Sequence, residues 1–210
     1  MSIVLTVDQR DSRRSPDAVP EALASLGPVP TLRPFERTAG DELQGVLSEP
    51  ASVATAVETL LRDGRWHIGI GVGAVETPLP ALARAGRGPA YVAARAAVVA
   101  ARTAPWHLRV VGAAPATRHL ESTVWLWAAL LGRRTEKGWE VVDLVDRGLS
   151  YEAAGQELGI SQSAVSQRAA AAGLVEGRRA RELVEAWARA ALVEEPETAP
   201  AAPEQPEVGR

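Results

Sequence analysis

Apolar and polar positions alternate in short runs along the first half of the chain, and they follow helical spacing between those runs. The β-branched and alternating runs predict strands at residues 2–7, 66–75 and 106–112, and a hairpin at 32–46. Helical spacing between them predicts helices at residues 15–25, 50–63 and 90–103. The first half is therefore expected to mix strands and helices.

From residue 122 onward the pattern is helical. Helices are predicted at residues 122–134, 138–147 and 178–192, and residues 149–168 hold two short helices joined by a tight turn at Gly159. Serines at 150 and 161 stand where helix caps belong. This pattern of two short capped helices joined by a glycine turn is typical of a helix-turn-helix. Residues 194–210 are rich in Pro, Glu and Ala, which predicts a disordered tail.

This order of elements predicts an α+β fold of the ferredoxin-like type, with helices mainly on one face of a sheet, followed by an all-α domain. The expected divisions are an α+β domain at 1–115, a helix-turn-helix domain at 120–193 and an acidic, proline-rich tail at 194–210. The length of 210 residues allows such a division.

The amino-acid composition excludes several kinds of functional site. The chain has no cysteine, which excludes disulfides, Cys-ligated zinc and thiol nucleophiles. Its three histidines, His67, His107 and His119, show no metal-ligand spacing, so any metal would bind oxygen ligands, as magnesium, calcium and manganese do. No apolar run approaches the roughly 20 residues of a membrane span. We expect a soluble, cytoplasmic protein without a membrane partner.

The net charge of −3 is concentrated in the tail, where residues 194–210 carry one Arg and five Glu. The rest of the chain is close to neutral, so nucleic-acid binding would depend on local clusters of cations rather than on the charge of a whole domain.

Residues 36–47 run from charged positions through a small-residue turn into apolar positions, as a β-hairpin does. At the tip, Gly40 can adopt the positive φ angle that tight turns need, and Asp41 tolerates turn geometry. Asp8 ends the first predicted strand. The tip can therefore present a carboxylate beside backbone N–H groups, as a metal–phosphate site requires. The alternative is an ordinary hairpin whose Asp41 only satisfies its own turn.

Glycines occupy alternate positions of the strand at residues 66–75, at Gly69, Gly71 and Gly73. They leave one face of the strand bare, which permits close approach of a ligand or of another backbone, so they indicate a binding surface. Their spacing fits neither of the common glycine-rich phosphate loops.

The second short helix of the helix-turn-helix, capped by Ser161, is predicted to read bases in the major groove of double-stranded DNA. Its candidate contacts are Ser161, Gln162, Ser163, Ser166, Gln167 and Arg168. Flanking cations could neutralise phosphates; they are Arg133, Arg134, Lys137, Arg147, Arg178, Arg179 and Arg181. The alternative is a helical dimerisation module that has the same sequence pattern as a helix-turn-helix.

Roughly residues 1–112 resemble the catalytic domain of nucleotidyl cyclases, and a few residues carry this resemblance. They are Asp8, the Gly40-Asp41 tip, the glycine-rich run at 68–73 and the Ala-Ala-Arg run at 93–95. Residues 39–43, Ala-Gly-Asp-Glu-Leu, are close to the GGDEF signature of diguanylate cyclases, which share a palm-like fold with class III cyclases. Together with the C-terminal helix-turn-helix, the chain is similar to the SatD family of bacterial proteins.

The resemblance implies that Asp8 and Asp41 are paired aspartates that bind Mg²⁺ against nucleotide phosphates. It places Arg37 where class III cyclases have a base-selecting lysine and Arg95 where they have a phosphate-binding arginine. Tyr91 stands in place of the family's asparagine, and residues 79–95 contain no acid to read a base. We therefore expect nucleotide binding rather than turnover, with no catalytic residue assigned, at Arg37, Gly40, Asp41, Tyr91 and Arg95; Arg84 and Arg87 could add phosphate contacts.

The combined prediction is a DNA-binding transcription regulator whose cyclase-like domain senses a purine nucleotide. A homodimer is expected, because cyclase domains usually work in pairs and two recognition helices suit palindromic half-sites about 34 Å apart. Two alternatives remain open. One is an active nucleotidyl cyclase with a helix-turn-helix accessory domain, and the other is a ligand-free dimerisation platform for a constitutive DNA binder.

Overall fold

The computed structural model describes residues 1–193. In that range it contains a five-stranded sheet and eight α-helices, so the predicted α+β class is confirmed. The strands are β1 (Ser2–Gln9), β2 (Arg33–Arg37), β3 (Glu42–Leu47), β4 (Trp66–Gly73) and β5 (Leu108–Val111). The helices are α1 (Val19–Leu26), α2 (Pro50–Asp63), α3 (Pro89–Ala101), α4 (Ala116–Leu131), α5 (Glu136–Asp146), α6 (Tyr151–Leu158), α7 (Gln162–Ala171) and α8 (Leu174–Val193). The tail predicted at 194–210 lies outside the described residues.

The strands are arranged in the order β2-β3-β1-β4-β5. The central strand β1 is antiparallel to both β3 and β4, whereas β4 and β5 are parallel and are connected through α3. In this register Asp8 lies opposite Glu42 on one side and His67 on the other. The polar end of β1 is therefore held between two neighbouring strands.

One face of the sheet carries large aliphatic side chains. Alternate residues of β1 and β4, among them Leu5 and Ile70, are fully buried there together with residues of α1, α2, α4 and α8. Pro50 begins α2, and Gly64, with a φ of 74°, ends it. This face of the sheet forms the main hydrophobic core.

The opposite face of β4 is covered by α3. A Cβ atom built on Gly71 would lie 2.2 Å from both the Ala90 carbonyl oxygen and the Ala94 nitrogen, and one on Gly69 would lie 2.3 Å from the Val98 nitrogen. The alternating glycines thus admit a helix backbone. Their predicted use as a ligand-binding surface is wrong, because α3 occupies the bare face they create.

A second hydrophobic core joins α5, α6 and α7 with the start of α8. Val141, Ala154 and Val165 are fully buried in it, and Leu158 and Ile160 pack against it. Helices α4 and α8, by contrast, contribute Trp127 and other residues to the main core. The predicted boundary between residues 115 and 120 therefore does not separate the two cores, since helices that lie after it also pack on the sheet.

None of the helices within residues 1–193 is both long enough and apolar enough to cross a membrane.

Candidate functional site

The candidate site lies beside α3, on the face of the sheet opposite the main core. Here β1 and β3 present polar side chains where β4 has glycines. Gln44 Nε2 donates a hydrogen bond to Thr6 Oγ1 at 2.8 Å, and the next pair on the same face of the two strands is Asp8 with Glu42. Side chains of alternate residues share a face, so these four polar groups form one stripe.

The turn between β2 and β3 brings Asp41 to the end of β1. Gly40 has a φ of 58°, and the backbone N–H of Glu42 donates to the Ala39 carbonyl oxygen at 3.0 Å. The N–H of Gln9 donates to the Asp41 carbonyl oxygen at 3.2 Å. The side chains of Asp8 and Asp41 line one open cleft of about 660 Å³. The structure thus brings together the two predicted metal-binding carboxylates.

Asp8 is held in a mixed electrostatic environment. Burial, followed by the negative charge of Asp41, raises the pKa of Asp8, while Arg102 opposes that rise. Arg102 Nη2 lies 2.9 Å from Asp8 Oδ2, and only 14% of the Asp8 side chain is exposed. A cation placed between the two aspartates would relieve their mutual repulsion.

The loop after β1 supplies further cations to this first cleft. Arg14 N–H and Ser15 N–H donate to the Asp11 carbonyl oxygen at 2.8 and 3.1 Å, which folds the loop over the end of the strand. Arg13 and Arg14 line the cleft together with Arg102. Three arginines around acidic groups suit a ligand that carries both phosphates and a metal ion.

His67 lies opposite Asp8 on β4 and lines the same cleft. Burial, and next the neighbouring His107, lower the pKa of His67 to about 4. The two imidazole rings are 5.0 Å apart, edge to face. His67 is therefore neutral at pH 7 and available as a hydrogen-bonding group rather than a cation.

A second cavity, of about 360 Å³, shares the hairpin tip and is lined by Thr38, Glu42, Gln44, Arg84, Tyr91 and Arg95. Arg95 forms an ion pair with Glu42, whose other carboxylate oxygen accepts a hydrogen bond from Thr38 Oγ1 at 2.7 Å. The predicted phosphate-binding arginine thus lies beside the tip, but a carboxylate that sequence reasoning left out already binds it.

Tyr91 packs under the loop that precedes α3. Its hydroxyl oxygen is buried and has no hydrogen-bond partner in the described part of the chain, and burial raises the pKa of Tyr91. A Cβ atom on Gly86 would lie 1.9 Å from this hydroxyl, so the loop needs glycine there. Tyr91 lines the second cavity, while its hydroxyl is enclosed beneath the loop.

Arg37 does not join this group, and its predicted nucleotide contact is not supported by its position. It lies opposite Leu43, a main-core residue, so its side chain leaves the sheet on the other face. There Nη2 contacts Asp17 Oδ2 at 2.5 Å and Nη1 donates to the Gly40 carbonyl oxygen at 2.8 Å. Arg37 supports the hairpin tip from behind.

The carboxylates at the tip could hold a metal only with help from a ligand. No group of three or more His, Asp or Glu side chains within residues 1–193 is arranged as a metal site. Magnesium commonly binds one or two carboxylates and completes its coordination with water and phosphate oxygens. Asp8 and Asp41 fit that pattern.

The second candidate surface is the exposed face of α7. Ser161 Oγ accepts a hydrogen bond from the Ala164 N–H at 3.2 Å, which caps the helix. A left-handed turn at Gly159, with a φ of 66°, joins α6 to α7. Val165 and Ala169 face the second core, and the exposed side chains are Gln162, Ser163, Ser166 and Gln167, with Arg168 half-buried.

Most of the cations predicted to flank α7 are already engaged. Arg134 is buried, while the acids Glu157, Asp146, Glu182 and Glu58 pair with Arg147, Arg178, Arg179 and Arg181, respectively. Arg133, Lys137 and Arg168 form no ion pair with any described residue. These three cations could therefore bind DNA phosphates without first breaking an ion pair.

No known protein family, curated protein or solved structure matches this chain.

Proposed function

We propose that this protein is a DNA-binding transcription regulator whose sheet cleft senses a purine nucleotide. The observation that carries the proposal is the face of α7. Four uncharged polar side chains, Gln162, Ser163, Ser166 and Gln167, stand exposed on a capped helix that is anchored on a small hydrophobic core. Amide and hydroxyl groups of this kind read base edges in the major groove, with α6 and α7 as the helix-turn-helix.

The charge around α7 sets a limit on the phosphate contacts. Residues 136–171 contain three basic and six acidic residues. With Arg133, Lys137 and Arg168 as the unpaired cations, each protomer would neutralise about three phosphates. The logarithm of the DNA affinity should then fall with the logarithm of salt concentration with a slope of about −3 per protomer, which is shallow for a DNA-binding protein.

Selection from a random double-stranded DNA library at low salt tests the proposal. Enrichment of one motif, and in a dimer of two half-sites about 34 Å apart, is the expected result. Recovery of no motif above the starting library would overturn it, because the α7 face is expected to read bases rather than phosphates alone.

The sheet supports a nucleotide as the ligand of the cleft. The order β2-β3-β1-β4 with antiparallel pairs is that of a ferredoxin-like unit, which favours the cyclase-like interpretation and the resemblance to SatD-like proteins. Asp8 and Asp41 would bind Mg²⁺, the arginines of the first cleft would bind phosphates, and Tyr91 and Arg95 would contact the rest of the nucleotide.

Calorimetry with ATP, GTP and cyclic nucleotides, each with and without Mg²⁺, tests this part. We expect one purine nucleotide to bind, with weaker binding after Asp41→Asn and unchanged binding after Glu49→Gln, an exposed acid beyond the far end of β3. Turnover of ATP or GTP that is lost in Asp41→Asn would instead identify an active cyclase. The absence of any binding would leave a ligand-free dimerisation platform as the role of the sheet.

The dimer in this proposal would use the outer face of α3. Val92 and Val99 on that face are 72% and 60% exposed, although α3 also buries its inner face on β4. A helix that is apolar on both sides favours a partner on the exposed side. Such a regulator would act in the cytoplasm.

A further inference from the structure

A buried arginine lies between the two hydrophobic cores. Arg134, in the turn between α4 and α5, has a side chain that is only 2% exposed. Its Nε donates to the carbonyl oxygen of Ala172 at 2.8 Å and its Nη2 donates to that of Gly173 at 3.4 Å. Its Nη1 is buried without a hydrogen-bond acceptor among the described residues. One donor of a buried cation is therefore unused.

The nearest carboxylate does not satisfy this donor. Glu58 Oε1 is 3.7 Å from Arg134 Nη1, beyond hydrogen-bond distance, because Glu58 Oε2 is held by Arg181 Nη2 at 2.6 Å. The Trp139 ring lies 4.6 Å from the guanidinium carbon and supports the positive charge from one side. It offers no acceptor to Nη1.

Arg134 borders a cavity of about 260 Å³ between α2, α5 and α8. Three arginines line this junction cavity, Arg134, Arg178 and Arg181, against two carboxylates, Glu58 and Asp146. Asp146 Oδ1 accepts from Arg178 Nε and Nη2 at 2.9 and 2.7 Å, and Glu58 is bound by Arg181. Each of these carboxylates thus has an arginine other than Arg134 at hydrogen-bond distance, and Arg134 Nη1 remains an unused donor at the buried end of the cavity.

We propose that the junction cavity binds a small oxyanion, such as phosphate, sulfate or a short dicarboxylate, on Arg134 Nη1. Arginine presents planar donors that match the oxygens of such anions. The cavity is several times larger than the roughly 30 Å³ that one water molecule occupies in the liquid, so a tetrahedral anion has room. Arg178 and Arg181 lie on one face of α8 and can turn a donor toward the anion while they retain their carboxylates.

The position of Arg134 gives this site a consequence for α7. The carbonyl groups that Arg134 binds belong to the two residues that directly follow α7. An anion on Nη1 would fix the guanidinium against them and so hold the end of the proposed recognition helix. The binding of the anion itself does not depend on whether α7 binds DNA.

Titration of the full chain with phosphate, sulfate and succinate tests the site by calorimetry and by melting temperature, with chloride at equal ionic strength as the reference. We expect at least one of these anions to bind and to raise the melting temperature above the chloride value. Arg178→Gln, which removes one cavity donor at the protein surface, should weaken that binding tenfold or more. Arg179→Gln on the same helix is the matched control, because Arg179 is exposed and pairs with Glu182.

Two further variants separate this site from its rivals. Arg102→Gln should leave the anion affinity unchanged, which excludes the sheet cleft as the binding site. Arg134→Lys, provided that its circular dichroism matches the parent, should lose binding, since a lysine cannot retain both carbonyl contacts and the anion. Equal responses of Arg178→Gln and Arg179→Gln, or no effect beyond chloride, would overturn the proposal and leave an adventitious ion only, or water, in the cavity.

Discussion

The two faces of β4 differ in what they pack against. Ile68, Ile70 and other large side chains on one face fill the main core, whereas Gly69 and Gly71 on the other face bring the α3 backbone into contact with the strand. The first face obtains its stability from buried apolar volume. The second obtains it from shape, because two backbones meet where no side chain intervenes. The same strand thus tolerates different changes on its two faces.

The side chains on the glycine face of the sheet differ from one strand to the next. Over β4 it is covered by α3, but over β1 and β3 it becomes the polar stripe that contains Asp8 and Glu42. The close approach of α3 to β4 therefore brings Arg95 and Arg102 within reach of those two acids. Packing on one strand positions the candidate site on its neighbours.

The largest effect is expected from Gly71→Ala. The added Cβ would meet backbone atoms of α3 at 2.2 Å, which cannot move without displacing the helix, so unfolding in urea should show a loss of about 3 kcal/mol or more. Gly40→Ala is the control, since a Cβ there meets nothing within 4 Å and only the φ of 58° opposes it. A loss of about 1 kcal/mol is expected for the control. Equal losses would contradict the close contact between α3 and β4.

Acid should destabilise the protein through His67. Its folded-state pKa of about 4 lies below the ordinary 6.5, so between these values the unfolded chain takes up a proton that the folded chain refuses. Stability should therefore fall by on the order of 2 to 3 kcal/mol from pH 6.5 to pH 4 on this account. His67→Gln should flatten that part of the pH profile. A profile unchanged by His67→Gln would refute the assignment.

Ile70→Val removes one carbon from the core face at the position next to Gly71. Because a core aliphatic side chain can lose a methylene with limited relaxation, urea unfolding should report a loss of about 1 kcal/mol. A larger loss of stability in Ile70→Val than in Gly71→Ala would show that the α3 backbone does not pack tightly on the glycine face.

The smallest effect on stability is expected from Asp8→Asn. A raised pKa means that the folded state disfavours the charged carboxylate, so this part of the stability is present below the ordinary pKa of 3.8 and is lost as pH rises toward the folded value. At pH 7 the neutral amide should change stability by less than about 1 kcal/mol. Metal-dependent nucleotide binding should nevertheless disappear, as calorimetry would show. A large loss of stability with intact binding would identify Asp8 as structural.

The strands and most helices could be predicted in their order along the chain, because hydrophobic spacing and turn residues are local signals. The predicted start of α4 was late: the helix begins at Ala116 rather than at 122, since Arg118 and His119 interrupt an apolar spacing that Leu120 continues. The contribution of α4 and α8 to the main core was not predictable. An amphipathic face shows that a helix packs, but not against which element.

The candidate site was predictable only where chain order decides it. Asp8 is the next-to-last residue of β1 and Asp41 lies in a turn, so both could be located from spacing. Arg102 could not, because it meets Asp8 from 94 positions away along the chain. The side of the sheet on which Arg37 lies had a signal in the sequence: Arg37 is two residues after Phe35, which packs against the main core, so strand alternation places both side chains on that side.

Fluorescence anisotropy on the motif recovered by selection tests whether α7 reads DNA, as proposed. Gln167→Ala should weaken binding by about 1 to 3 kcal/mol and relax specificity at one base position. Gln156→Ala is the matched control, because Gln156 is equally an exposed glutamine but lies on α6. It should bind as the parent does. Parent-like affinity and specificity in Gln167→Ala and also in Gln162→Ala would contradict the claim.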